Sequence, residues 1–160
     1  MPLRSDYAGQ DCALARSLEV IGERWTLLIV RDAFHGLTRY DEFLKSLGVA
    51  TNVLSSRLSK LVDAGILVRA EPRGAYTLTA KGRDLYPVIL TLMAWADKHE
   101  PGPGGPEVLI LHTDCDHEAG GALRCEHCGG PVTLDNLKVV PAEGTLTPPQ
   151  LAVWGEKASA

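Results

Sequence analysis

Thr51-Asn-Val-Leu-Ser-Ser-Arg-Leu-Ser-Lys-Leu-Val-Asp-Ala-Gly65 is the stretch that decides how this 160-residue chain folds. Leu54, Leu58 and Leu61 recur at helical spacing, with Val53 and Val62 beside them, so one face of a helix is apolar. The other face carries Asn52, Ser55, Ser56, Ser59, Lys60 and Asp63. Thr51 is expected to N-cap the helix and Gly65 to end it. Next come Ile66-Leu-Val-Arg-Ala-Glu71, the turn Pro72-Arg73-Gly74, and Ala75-Tyr-Thr-Leu78. Two short apolar or β-branched runs around a Pro/Gly turn predict a β-hairpin.

A small, hydroxylated helix face can approach base edges closely in a major groove. Arg57 and Lys60 can reach phosphate or guanine, and Arg69 and Arg73 can lie along the neighbouring backbone or minor groove. A helix, a turn, a second helix and a basic hairpin, in that order, predict a winged helix-turn-helix. Its candidate DNA-binding residues are Thr51, Asn52, Ser55, Ser56, Arg57, Ser59, Lys60, Arg69 and Arg73. Taken alone, the helix also reads as an ordinary serine-rich solvated face. The order of elements argues against that.

Upstream, residues 12–21 set Leu14, Leu18 and Ile21 on one stripe, with Asp11 as the expected N-cap and Gly22 as the stop. Residues 24–34 are apolar almost all round, which predicts a central buried helix ending at Gly36. Thr38 is expected to cap a short third helix, 39–46, with Tyr40, Phe43 and Leu44 inward; Gly48 then breaks the chain. Downstream, Thr79 is expected to cap a fifth helix over 80–98, kinked at Pro87. Its Leu85, Val88, Ile89, Leu92, Met93 and Trp95 exceed what one face of a small core needs. Palindromic DNA suits a two-fold protein, so a homodimer is expected.

Residues 51–83 hold six basic side chains (Arg57, Lys60, Arg69, Arg73, Lys81, Arg83) against Asp63 and Glu71, although the whole chain is acidic at −4. That local excess is a candidate polyanion footprint. Pro101-Gly-Pro-Gly-Gly-Pro106 permits neither helix nor central strand, so residues 101–106 read as a hinge. The expected organisation is a DNA-binding and dimerisation domain over 1–100, a small ribbon over 107–140 and a loosely ordered tail over 141–160. Glu107–His112, Pro131–Leu134 and Leu137–Val140 read as short strands. The composition, 45% hydrophobic and 22% charged, is that of a globular chain. No apolar h-region opens it and no window is long enough to span a membrane, so a cytoplasmic location and no membrane partner are expected.

Cys125-Glu-His-Cys128-Gly-Gly130 is a knuckle: two thiols two residues apart, followed by glycines that let backbone amides turn toward sulfur. His112-Thr-Asp-Cys115 offers a second half-site, and His117 is the alternative to His112. Cys115, Cys125, Cys128 and His112 are therefore candidate ligands of zinc. Four protein ligands leave no open position for water, so the metal is expected to be structural. A Cys125–Cys128 redox disulfide, or a ribbon held by packing alone, is the rival.

Cys12-Ala-Leu-Ala-Arg-Ser-Leu-Glu-Val-Ile-Gly-Glu-Arg-Trp-Thr-Leu-Leu-Ile-Val-Arg-Asp32 resembles the opening of the HxlR-type regulators, a MarR-like winged-helix family of bacteria. So do Arg39-Tyr-Asp-Glu-Phe43, the run from Asn52 to Leu67, and Tyr76-Thr-Leu-Thr-Ala-Lys-Gly82. The resemblance covers about residues 11–98. It implies a homodimeric transcription factor joined through its first and last helices, with 52–64 as recognition helix and 67–78 as wing. The wing here is shorter than in many relatives, which limits the reach of Arg73. In several such relatives a cysteine before the first helix senses electrophiles or oxidants, and Cys12 matches that position. A buried packing role for Cys12 is the alternative. A Cys…Cys-x-x-Cys-Gly extension also occurs on some members.

The fold class expected is thus α+β: a winged helix-turn-helix, mostly α with a β-hairpin wing, followed by a small β-rich, zinc-ribbon-like extension. No Gly-rich phosphate loop, serine elbow or periodic carboxylate pair points to an enzyme. The deaminase pattern fails because His117-Glu118 is adjacent and no Pro precedes Cys125. The function expected is a non-enzymatic regulator that binds a palindromic double-stranded DNA operator and answers to a small-molecule or electrophile effector. A protein-interaction adaptor built on a degenerate winged helix is the alternative.

Overall fold

The computed structural model describes Tyr7 and residues 12–71, 74–105, 108–133 and 136–137. In chain order these form α1 (Ala13–Ile21), α2 (Thr26–Phe34), α3 (Tyr40–Leu47), α4 (Thr51–Asp63), β1 (Leu67–Ala70), β2 (Ala75–Leu78), α5 (Ala80–Arg83), α6 (Tyr86–His99), β3 (Leu111–His112) and β4 (His117–Glu118). None of the described helices is long and apolar enough to cross a membrane.

One core joins these helices to the wing. Ile29 and Val30 of α2, Phe43 of α3, Leu54, Leu58 and Leu61 of α4, Ile66, Leu67 of β1, and Ile89 of α6 are buried together. The three leucines of α4 are those its spacing predicts. Gly65 follows α4 in the left-handed region at φ 68°, the conformation glycine adopts without a Cβ penalty. The chain then turns straight into β1, which pairs antiparallel with β2 in the register Leu67↔Leu78 to Ala70↔Ala75. The wing is anchored to the helices where the Tyr76 amide donates to the Thr38 carbonyl at 2.7 Å.

Several local expectations are corrected. Cys12 occupies the N-cap of α1 and its sulfur accepts the Ala15 amide at 3.3 Å; Asp11 lies outside the described residues. Ala50 precedes α4 as its N-cap, and Thr51 is the first helical residue with no side-chain cap bond. Thr38 does not cap α3. The Glu42 carboxylate reaches back from the third helical position and accepts the amides of Thr38 and Arg39, both at 2.9 Å. α2 is not enclosed all round, since Leu28 is exposed.

The fifth helix expected over 80–98 is two helices. Pro87 falls in the first turn of α6, where its missing N–H leaves no helical bond unmade, so the chain breaks before it instead of kinking around it. Thr79 does cap α5: its hydroxyl accepts the Gly82 amide at 3.0 Å and donates to the Gly65 carbonyl at 2.6 Å. Gly82 is required by close approach, because a Cβ there would lie 2.3 Å from the Ile66 carbonyl oxygen.

The chain divides into two compact units, residues 1–121 and 122–160. Residues 101–121 therefore fall in the first unit: Gly102 and Gly105 line a cavity of about 510 Å³ with Leu27, Ile89 and Met93. β3 and β4 form a two-residue hairpin in that unit. In the second, Arg124 and Pro131 make an isolated antiparallel bridge. The strands expected beyond Thr133 and the tail over 141–160 fall largely outside the described residues.

Candidate nucleic-acid interface

α4 is held from behind and open in front. Leu54, Leu58 and Leu61 are at most 1% exposed, whereas Thr51, Asn52, Ser55, Ser56, Ser59 and Lys60 are all exposed. A helix fixed in this way presents neutral donors and acceptors from a rigid support. α3 is tied to the start of α4 by the Tyr40 hydroxyl, which donates to the Thr51 carbonyl.

The basic residues differ from one another. Arg69 is exposed on β1, opposite Tyr76, with its guanidinium 5.7 Å from that ring's centre. Arg69 and Arg39 line a shallow cleft of about 290 Å³ between the wing and the start of α3, with Tyr40, Asp41, Gly74 and Tyr76. Arg39 was not among the residues expected from the pattern of α4 and the hairpin. Only the fold brings the start of α3 beside the wing. Arg73 lies outside the described residues.

Arg57 and Lys60 share one partner. The Glu23 carboxylate pairs with Arg57 through one oxygen and accepts from Lys60 Nζ at 2.9 Å through the other. The Lys60 ammonium hydrogen-bonded to it, with the Arg57 guanidinium alongside, holds the Glu23 carboxyl below its ordinary value of 4.5. The Arg57 side chain is 19% exposed and that of Lys60 61%. Glu23 carries no sequence signal for this role, because it lies 37 residues before Lys60.

An apolar stripe faces outward on α6. Val88, Leu92 and Trp95 sit at i, i+4 and i+7 on α6 and are 45%, 51% and 55% exposed. On α1, Leu14 and Val20 are exposed, while Ile21 packs against the core.

All four cysteines are free thiols. In the first unit, His112 Nδ1 lies 3.4 Å from Cys115 Sγ. Cys115 sits in a turn whose amides at 115 and 116 donate to the His112 carbonyl. His117 Nδ1 is instead engaged by the Cys115 carbonyl at 2.6 Å. In the second unit, the Gly129 amide donates to the Cys125 carbonyl at 2.8 Å and the Cys125 amide to the Gly130 carbonyl at 2.9 Å. The amides of Cys128 and His127, with the Cys128 thiol, hold the Cys125 thiol below its ordinary value of 9.0. Among the described residues, no three His, Cys, Asp or Glu side chains are gathered into a ligand cluster.

The profile of the HxlR-like helix-turn-helix family matches residues 20–102. An uncharacterised HTH-type transcriptional regulator of Mycobacterium tuberculosis is 42% identical over 137 residues, covering 82% of this chain and 87% of that protein. The HTH-type transcriptional regulator YodB of Bacillus subtilis is 31% identical over 93 residues, covering 54% of this chain and 83% of its own. The crystal structure of PA1607, a candidate transcription factor, superposes with a TM-score of 0.74 at 37% identity, covering 84% of this chain and 97% of that one. PA1374 of Pseudomonas aeruginosa, a second candidate transcription factor, gives a TM-score of 0.58 at 35% identity, covering 86% and 97%.

Proposed function

The chain belongs to the HxlR-like helix-turn-helix family, and we propose that it is a transcriptional regulator that binds a palindromic DNA operator as a homodimer. The observation that carries this reading is the exposed row Asn52, Ser55, Ser56 and Ser59 on a helix locked from behind by Leu54, Leu58 and Leu61. Neutral hydroxyl and amide groups discriminate base edges by hydrogen bonding. Arg39, Arg69 and Lys60 supply phosphate contacts, which position the helix without reading sequence.

The dimer reading is supported by the outward stripe of Val88, Leu92 and Trp95 on α6, with Leu14 exposed on α1. Burying one large apolar side chain contributes about 1.5–3 kcal/mol. Two-fold symmetry would set two copies of α4 for successive major grooves, about 34 Å apart.

The test is fluorescence anisotropy with duplexes drawn from upstream of the protein's own gene, across a range of salt. Asn52→Ala should weaken operator binding by about 1–3 kcal/mol and leave unrelated duplex unchanged. Arg69→Ala should weaken both and flatten the salt slope by about one counterion. Binding indifferent to salt and to both substitutions would favour the adaptor reading.

For the trigger, we propose Cys12 as the point of attack by an electrophile or oxidant. Its sulfur is the cap acceptor of α1, so modification removes the cap and loosens a helix assigned to the dimer contact. Loss of DNA binding on alkylation of the wild type, absent from Cys12→Ser, is the expected result.

For the extension, we propose structural zinc, with Cys115, Cys125, Cys128 and His112 as ligands. The support is local: the Cys125-x-x-Cys128 segment is closed by two backbone bonds, and His112 and Cys115 are neighbours in one turn. Metal analysis of purified protein, with each cysteine replaced by serine in turn, tests the set.

A further inference from the structure

We propose that Glu23 is a specificity-determining residue for DNA binding: its carboxylate competes with DNA phosphates for Arg57 and Lys60 and thereby restrains sequence-independent binding. This rests on the DNA-binding reading above.

The geometry is one anion serving two cations. Each carboxylate oxygen of Glu23 takes a different partner, Arg57 on one and Lys60 on the other. Glu23 is held in place by its own backbone, because its carbonyl accepts the Thr26 amide at 3.1 Å in the turn between α1 and α2. Trp25 in that turn adopts φ 79°, a conformation that non-glycine residues rarely take. The carboxylate is therefore delivered to the flank of α4 by a tight turn and not by a floppy loop.

The consequence follows from charge. Without Glu23, α4 would present two uncompensated cations beside a neutral reading face. With it, the cluster carries a net of one positive charge. Phosphates occur on every duplex, so the uncompensated pair would strengthen binding to any sequence. Base edges are read by Asn52, Ser55, Ser56 and Ser59, none of which is hydrogen-bonded to Glu23. The Arg57 side chain is mostly covered and its guanidinium is paired with Glu23, so a phosphate competes with the carboxylate for it.

Exchange of partners is easiest at Lys60, whose side chain is 61% exposed, because exposed ion pairs are weak. It requires a phosphate brought within hydrogen-bond distance, which occurs when α4 is seated in a groove that fits it. On a loosely bound, unmatched duplex, Glu23 keeps both cations and adds its own repulsion. Glu23 thus penalises unmatched DNA more than the operator.

The experiment is anisotropy with the full chain, an operator duplex and an unrelated duplex of equal length, at several salt concentrations. Glu23→Gln should steepen the salt slope on unrelated duplex by one to two counterions, tightening binding roughly tenfold at low salt. The operator should gain less, so discrimination falls. Glu23→Asp, which keeps the charge but shortens the reach, should fall between wild type and Glu23→Gln. Adding Lys60→Gln to Glu23→Gln should remove about half of the extra slope. An unchanged slope and unchanged discrimination in a folded Glu23→Gln protein overturns the proposal and leaves Glu23 as a tether. If Glu23→Gln does not fold, the Glu23 carboxyl resonance of the wild type is followed near neutral pH as operator is added. A resonance that moves supports the exchange, and one that stays overturns it. A wild type that binds no duplex at any salt overturns the DNA-binding reading itself.

Discussion

The Tyr40 hydroxyl donates to the Thr51 carbonyl at 2.9 Å, joining the first residue of α3 to the first residue of α4. The same hydroxyl lies 3.1 Å from Ser55 Oγ. The two helices of the DNA-binding motif are thus fastened at the end where α4 would enter a groove. The Tyr40 ring packs against the core, so the phenol is apolar inward and polar toward the reading helix.

Tyr40→Phe keeps the ring and deletes the donor. It should lower stability by about 0.5–1.5 kcal/mol. Operator affinity should fall as well, because Ser55 loses a partner that orients it. Thermal melting and anisotropy on the same preparation check both; an unchanged pair of values would make the hydroxyl a bystander.

Gly82→Ala should be among the most damaging single-methyl additions to the chain. The new carbon would meet the Ile66 carbonyl 2.3 Å away, a backbone atom that cannot swing aside. Overpacking of this kind costs about 1–3 kcal/mol. Chemical denaturation should register it, and Ala80→Gly, on the exposed side of the same short helix, should serve as the mild control.

Leu92→Glu with Trp95→Glu should convert a dimer to a folded monomer. Both side chains are more than half exposed, so the substitutions leave the core intact. Met93 is the wrong position for this purpose, because it packs against the core. Light scattering that still reports a dimer for the double mutant would move the interface off this stripe of α6.

Acidification should loosen the start of α3. The Thr38 and Arg39 amides hold the Glu42 carboxyl below its ordinary value of 4.5. A carboxylate lowered in the folded state stabilises above its unfolded pKa, and the contribution is lost as pH falls through the folded one. The Thr38 and Arg39 amide resonances should therefore shift together below about pH 4.5, and Glu42→Gln should abolish that titration.

Chelation of zinc should open residues around the Cys125–Cys128 knuckle while α1 to α6 stay folded. Hydrogen exchange should rise in the extension, with protection retained at Leu54, Leu58 and Leu61. Operator affinity should change by less than about tenfold, or about 1.4 kcal/mol. Purified protein without zinc, yet with unchanged exchange at residues 112–130, would remove the metal from the proposal.

Much of the winged helix was written in local signals. The 54–58–61 spacing and Gly65 each act within a few residues and specify α4 and its end directly, and the runs 67–70 and 75–78 pair as the wing. The hydroxyl of Thr79 likewise needed only Gly82, three positions away. Helix caps are less local. Thr38 and Thr51 have the right chemistry, but Glu42 reached back inside α3 and α4 started one residue early.

Local sequence signals are enough for the periodic elements and their turns, and for the neutral outer face of α4. Helical repetition and hydrophobic burial act on neighbours along the chain, so they can be read in order. Long-range meetings came from the packing of the whole chain: Glu23 with Arg57 and Lys60, and Arg39 beside Arg69. Those depend on how α2, α4 and the wing settle around a shared core, and no spacing within one segment encodes the distance to another.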